Sequence, residues 1–249
     1  MSSFAPSKNI WMIFDVDGVL VDPSESYDIA VKYTVLHLIG GRENLPRVEE
    51  NSIRELRRKG RFGDDFDLTE VIVRALMSEE SLSDVVNCFP RGAGIEWARR
   101  RWPVHVDRNK LIRIFNTFYL GDLYDERSFE FEGLWKKDRV VVDKDLLKRA
   151  NDRYLLGVIT GRNELELRLA CKLIGFHFEH YVTRDMYMKP DPMCLKVLVN
   201  GMDGIYVGDT VNDELLVERY NSEFGGNFEF VMVGRDFENV NEFLKKTLE

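Results

Sequence analysis

The sequence predicts an α/β fold whose parallel sheet is split, after its first strand, by an all-helical insert. Three observations predict it. Short apolar runs alternate with helical stretches over 139–249, the rhythm of a parallel sheet. A strand-like run, Ile10-Trp11-Met12-Ile13-Phe14, stands apart near the N-terminus. Between them, from about 22 to 138, the pattern is helical with no convincing strand alternation.

Residues 9–14 are continuously apolar and close on Asp15-Val16-Asp17-Gly18, a turn signal after a buried strand. The insert opens with a helical stripe of Tyr27, Ala30, Val31, Val35, Leu38 and Ile39, stopped by Gly40-Gly41. Further helices are expected near 51–59, 68–77, 81–88, 94–101 and 110–120. The sheet resumes at 154–160. A helix over 163–174 follows, with Leu165, Leu169, Cys171, Leu173 and Ile174 as its buried face and Gly175 as its stop. Tyr181-Val182 reads as a short strand, 192–200 as a helix with Pro192 at its start, and 204–207 as a strand. A helix over 213–220, a strand over 228–233 and a helix over 239–248 complete the chain. The expected domains are therefore a core of 1–21 with 139–249 and a helical domain of 22–138. The insert leaves just after the first strand, so a helical lid over that end of the sheet is expected, hinged at Asp22-Pro23 and Gly133.

Composition narrows the function. The 249 residues are 44% hydrophobic, ample for a packed core, and no apolar run approaches a membrane span. No signal peptide is evident, which makes the cytoplasm the expected compartment. A net charge of −8 argues against bulk nucleic-acid binding. Cys88, Cys171 and Cys194 are odd in number and far apart, so neither disulfides nor a zinc site is indicated. His177 and His180 stand three apart, but at a helix-to-strand connection where a structural role is expected. The chain contains no Gln and is 31% charged, a composition seen in heat-adapted proteins.

Four polar motifs follow the apolar runs in order: Asp15-Val16-Asp17-Gly18, Thr160-Gly161-Arg162, Lys189-Pro190-Asp191-Pro192 and Gly208-Asp209-Thr210-Val211-Asn212-Asp213. Each falls at a strand end, where parallel sheets bind ligands. Together they suit phosphoryl transfer. An anionic phosphate resists an anionic nucleophile, so a site needs a nucleophile, a proton donor and positive charge for the phosphoryl oxygens. A carboxylate can attack and form an acyl phosphate. A second carboxylate can serve as acid and then base. Hard oxygen ligands favour Mg²⁺. Lys189 supplies charge, and the Thr160 hydroxyl with nearby backbone N–H groups can hold a phosphoryl oxygen.

In this order the motifs resemble the haloacid dehalogenase (HAD) superfamily of phosphohydrolases, and the large helical insert resembles its first cap type, as in phosphoglycolate phosphatase-like members. The resemblance covers about 9–21 and 139–249 and implies a Rossmann-like core. It implies Asp15 as nucleophile and Asp17 as general acid/base. It implies a Mg²⁺ site made by the Asp15 and Asp209 carboxylates and the Asp17 carbonyl. Asp213 would orient a metal-bound water or Lys189, and Thr160 and Lys189 would hold phosphate.

The implied partner is a small phosphorylated metabolite, such as phosphoglycolate, with no nucleic acid and no membrane, and the protein a monomer or homodimer. Substrate contacts are expected from Thr160, Gly161, Lys189, Arg162 and Arg61. Arg162 could instead pair with a nearby acid. The basic stretch Arg57-Arg58-Lys59-Gly60-Arg61 reads either as a solvated helix end or, with Phe62-Gly63, as a loop that recognises an anion. Arg99-Arg100-Arg101 reads as a solvated helix face, and Trp97, Trp102, Phe115, Phe118 and Tyr119 as cap packing. Alternatives are a sugar phosphomutase on the same core and a non-catalytic binding protein. A dehalogenase would not need Asp17, and a Schiff-base phosphonate hydrolase would need a desolvated cap lysine, for which Lys32 and Lys59 are available.

Overall fold

The computed structural model describes residues 9–40, 47–62 and 64–249. Gly41 and Gly63, expected in a helix stop and a loop, lie outside them. The chain divides into two compact units, one made of residues up to Asp22 with Arg139–Glu249, the other of Pro23–Asp138.

The first unit is an α/β core. Its five-stranded parallel sheet has the order β5 (His180–Val182), β4 (Leu155–Ile159), β1 (Trp11–Phe14), β6 (Gly204–Gly208), β7 (Phe228–Met232). Strand β1 is central because it is buried on both faces, and alternation sends its side chains to two cores. Met12 and Phe14 join Val158 and Val207 on one face. Trp11 and Ile13 join Ile159 and Tyr206 on the other. Helices α7 (Lys144–Arg153), α8 (Glu164–Ile174), α9 (Met193–Val199), α10 (Val211–Phe224) and α11 (Val240–Leu248) complete this unit. A two-stranded antiparallel ribbon, β2 (Val21–Asp22) with β3 (Arg139–Val140), brings the two chain crossings side by side, and Arg139 pairs with Asp22 at 2.6 Å.

Two expectations are corrected here. Helix α7 was not expected: its buried face is only Leu146, Leu147 and Ala150, too sparse a stripe to announce itself. On α8, Leu165 is exposed, while Glu166 and Leu167 are buried. Glu166 turns inward because it closes a capping box with Asn163 and pairs with Arg184 at 3.0 Å.

The second unit is helical: α1 (Tyr27–Ile39), α2 (Glu50–Lys59), α3 (Asp65–Met77), α4 (Leu82–Cys88), α5 (Ile95–Arg101) and α6 (Arg108–Leu120). Val31, Val35, Leu68, Ile72, Leu111 and Phe115 are among its buried side chains. Trp102 and Tyr119 are buried with them, and Trp97 packs edge-on against Trp102. Its basic stretches are mostly tied down. Arg57 pairs with Asp28 and Asp65, and Lys59 donates to the Val86 carbonyl. Arg99 pairs with Glu70 and Glu96, and Arg101 with Glu80.

Candidate active site

Four polar segments meet at the carboxyl end of the sheet. Asp15 directly follows β1, and its N–H donates to the Val207 carbonyl at 2.9 Å, extending the ladder by one residue. The chain then turns sharply: the Gly18 N–H donates to the Val21 carbonyl at 2.8 Å, and Gly18 has φ +77°. That left-handed conformation favours glycine, and a Cβ there would lie 2.0 Å from Asp209 Oδ2. Thr160 directly follows β4, anchored by its N–H to the Val182 carbonyl at 3.0 Å. Its Oγ1 accepts the Arg162 N–H at 3.1 Å, leaving the hydroxyl proton to donate elsewhere. Asp209 follows β6, and Thr210 caps α10 in a capping box with Asp213.

Lys189 is the electrostatic centre. Its Nζ lies 2.7 Å from Asp15 Oδ2 and 2.7 Å from Asp213 Oδ1. Asp213 is fully buried and hydrogen-bonded through both oxygens. Oδ1 accepts from Lys189 and the Tyr206 hydroxyl, and Oδ2 from the Thr210 hydroxyl and N–H. This set of partners suits Asp213 to orienting Lys189. Burial opposes ionisation of Asp213, but the Lys189 charge and these hydrogen bonds outweigh it and lower its pKa. Burial would also drive Lys189 toward neutrality, but Asp15 and Asp213 hold it protonated.

The other two acids lean the opposite way. Burial pushes the Asp15 carboxyl well above its usual range, against the pull of Lys189 and with the repulsion of Asp213, Asp209 and Asp17. Burial and Asp213 raise Asp209 to about 7. Among the described residues, the ion pairs of these four carboxylates are those with Lys189 and Arg162. Asp209 Oδ1 is buried without a hydrogen-bond partner, and Asp15, Asp209 and Asp213 offer oxygens within 4.8 Å of one another. A hard divalent cation fits this donor set.

The structure brings Asp15, Asp17, Thr160, Gly161, Arg162, Lys189, Asp209 and Asp213 into one unit. Arg162 is buried against Asp17, so of its two expected roles the structure shows the ion pair. Arg61 is in the helical unit, its side chain exposed and its N–H on the Ala93 carbonyl. Lys32 pairs with Glu50. The His180 ring packs edge-on against Trp11. Tyr206 and Arg184 were missed. Tyr206 carried a signal, since a tyrosine in a buried strand must find its hydroxyl a partner.

No protein-family model and no curated protein matches the sequence. Solved structures do. A phosphatase from Thermococcus thioreducens, Tt82, is 50% identical over 96% of this chain and 99% of its own, with a TM-score of 0.85. A HAD-superfamily hydrolase of subfamily IA from Geobacter sulfurreducens shares the fold at 21% identity over 89% of this chain and 87% of its own, with a TM-score of 0.50. The chain belongs to the HAD superfamily of hydrolases. A predicted phosphoglycolate phosphatase from Haemophilus somnus shares this HAD fold at 16% identity over 96% of this chain and 98% of its own, with a TM-score of 0.59. Among the described residues of this HAD protein, no helix is long and apolar enough to cross a membrane.

Proposed function

We propose that this HAD hydrolase is a Mg²⁺-dependent phosphatase that cleaves a small phosphate monoester through an aspartyl phosphate on Asp15. The observation that carries it is the placement of Lys189 2.7 Å from Asp15, a cation beside the carboxylate that must meet an anionic phosphate. In the first step an Asp15 carboxylate oxygen attacks phosphorus and the bond to the leaving oxygen breaks. Asp17 gives that oxygen its proton. Lys189 and the Thr160 hydroxyl hold the phosphoryl oxygens. In the second step water attacks phosphorus, Asp17 takes its proton, and phosphate leaves with the Asp15 carboxylate restored. When bound, Mg²⁺ would be held by Asp15, Asp209 and the Asp17 carbonyl and would supply positive charge toward the phosphoryl oxygens. An acidic metabolite such as phosphoglycolate is the candidate substrate. The likeness to Tt82 supports phosphatase activity.

The test is Mg²⁺-dependent phosphate release from a panel of phosphorylated metabolites, with Asp15→Asn run alongside. Release from one or a few esters, abolished in the variant, supports the reading. An isomerised sugar phosphate with no free phosphate would replace it with a mutase. Near wild-type turnover in Asp15→Asn would remove Asp15 as nucleophile.

A further inference from the structure

Arg162 is one of the largest fully buried side chains, with 1% exposure, yet it carries a charge. Its guanidinium is turned onto Asp17. Nε lies 3.1 Å from both carboxylate oxygens and Nη2 lies 2.6 Å from Oδ1. Asp17 is 30% exposed, so the fork grips the carboxylate from inside and leaves its outer side open.

Arg162 is itself held in place. Its N–H donates to Thr160 Oγ1 at 3.1 Å, and Nη1 reaches the Glu166 carbonyl at 3.4 Å. Its carbonyl accepts the Arg184 N–H at 3.1 Å. Arg184 in turn bonds the Gly161 carbonyl at 3.1 Å and the Glu166 carboxylate at 3.0 Å. A group meant to grip substrate charge gains nothing from this burial. A group meant to fix the direction of a carboxylate does, because a guanidinium is planar and its donors point in set directions.

We propose that Arg162 is a positioning residue for phosphoryl transfer, orienting the Asp17 carboxylate toward the leaving-group oxygen. The inference rests on the assignment of Asp17 as general acid/base. Proton transfer requires hydrogen-bond reach and alignment, and an ungripped aspartate side chain can turn away from both. The dependence on Asp17 grows as the leaving group worsens. An alkoxide needs its proton as the bond to phosphorus breaks. A p-nitrophenolate is a stable anion and does not.

The experiment compares kcat/KM, which reports steps through cleavage of the ester, on p-nitrophenyl phosphate and on the alkyl phosphate that the wild type hydrolyses fastest. The proteins are wild type, Arg162→Lys, Asp17→Asn and the double variant, with folding checked by circular dichroism. Arg162→Lys keeps the charge and loses the fork. It should lower the alkyl ester on the order of 10²-fold and the aryl ester less than about tenfold, within the range of general acid catalysis. On the aryl ester in the Asp17→Asn background, Arg162→Lys should change kcat/KM less than about threefold, because its route of action is already gone. Equal losses on both esters, or a further loss well above threefold on the aryl ester in the Asp17→Asn background, would overturn the proposal. Wild-type phosphate release and its loss in Asp15→Asn report on the function itself; the ratio between esters reports on Arg162 alone.

Discussion

Lys189 donates to a fully buried carboxylate, Asp213, at 2.7 Å, and that carboxylate is in turn fixed by Tyr206 and Thr210. The ammonium therefore has a defined direction as well as a charge. Asp213→Asn keeps the shape but weakens the grip. The expected result is a fall in kcat on the order of 10²- to 10³-fold, comparable to losing an aligned electrostatic contact to the transition state. Steady-state kinetics of the folded variant checks it; a loss confined to KM would count against an orienting role.

Gly18 and Asp209 make a second pairing that substitution can probe. Alanine at 18 would meet both a left-handed φ of +77° and the Asp209 carboxylate. The conformation alone costs about 1–2 kcal/mol, and Asp209 must also move. Gly18→Ala should lose most of the rise in melting temperature that Mg²⁺ gives the wild type. Scanning calorimetry with and without Mg²⁺ reads this without any substrate. An undiminished Mg²⁺ shift would remove Asp209 from the cation site.

The helical unit has its own titration signature. Glu70 is 1% exposed and receives Arg74, Arg99 and Arg108 at 2.8, 3.1 and 2.9 Å. Burial would raise its pKa, but the hydrogen bonds from the three arginines win and hold it at about 2, below its usual 4.5. A depressed carboxyl stabilises the fold above pH 4.5 and loses that contribution as pH falls toward 2. The shift corresponds to about 3 kcal/mol. Glu70→Gln should therefore lower the melting temperature at pH 7, and the gap to wild type should narrow at pH 3. A gap that stays constant with pH would show that the carboxylate charge is not what holds these helices.

Arg61 is exposed, as is Arg58, and it lies at the end of the basic stretch where the anion-recognition reading places substrate contact. Arg61→Ala should raise KM severalfold and leave kcat nearly unchanged, the pattern of lost uniform binding. Unaltered kinetics would assign the stretch to the structure of the helical unit, where Arg57 and Lys59 already have partners.

The core was legible because its strands are short apolar runs ending in polar motifs, and both halves of that signal lie within a few residues. Helix α10 was partly legible: it starts at Val211, before the expected 213, because the Thr210 cap lies within a motif read for chemistry. The two-residue strands β2 and β3 carry no periodicity at all. The partners of Arg162 could not be read for a different reason. Asp17 is 145 residues away in sequence, and whether an arginine grips substrate or acid is decided by tertiary contact. The same holds for Tyr206, whose hydroxyl meets Asp213 only after β6 and α10 have packed.

The central place of β1 also governs the order in which the molecule can be made. The strand that leads into Asp15 is made before the whole helical unit, yet its neighbours are residues 155–159 and 204–208. The helical unit, built from one continuous stretch, can organise while Trp11–Phe14 still waits for partners. A nascent chain released before residue 208 would carry Asp15 on an unpaired, fully apolar edge, prone to association. Asp15 thus gains its full set of neighbours only after residues 204–208 have been made and have closed on β1.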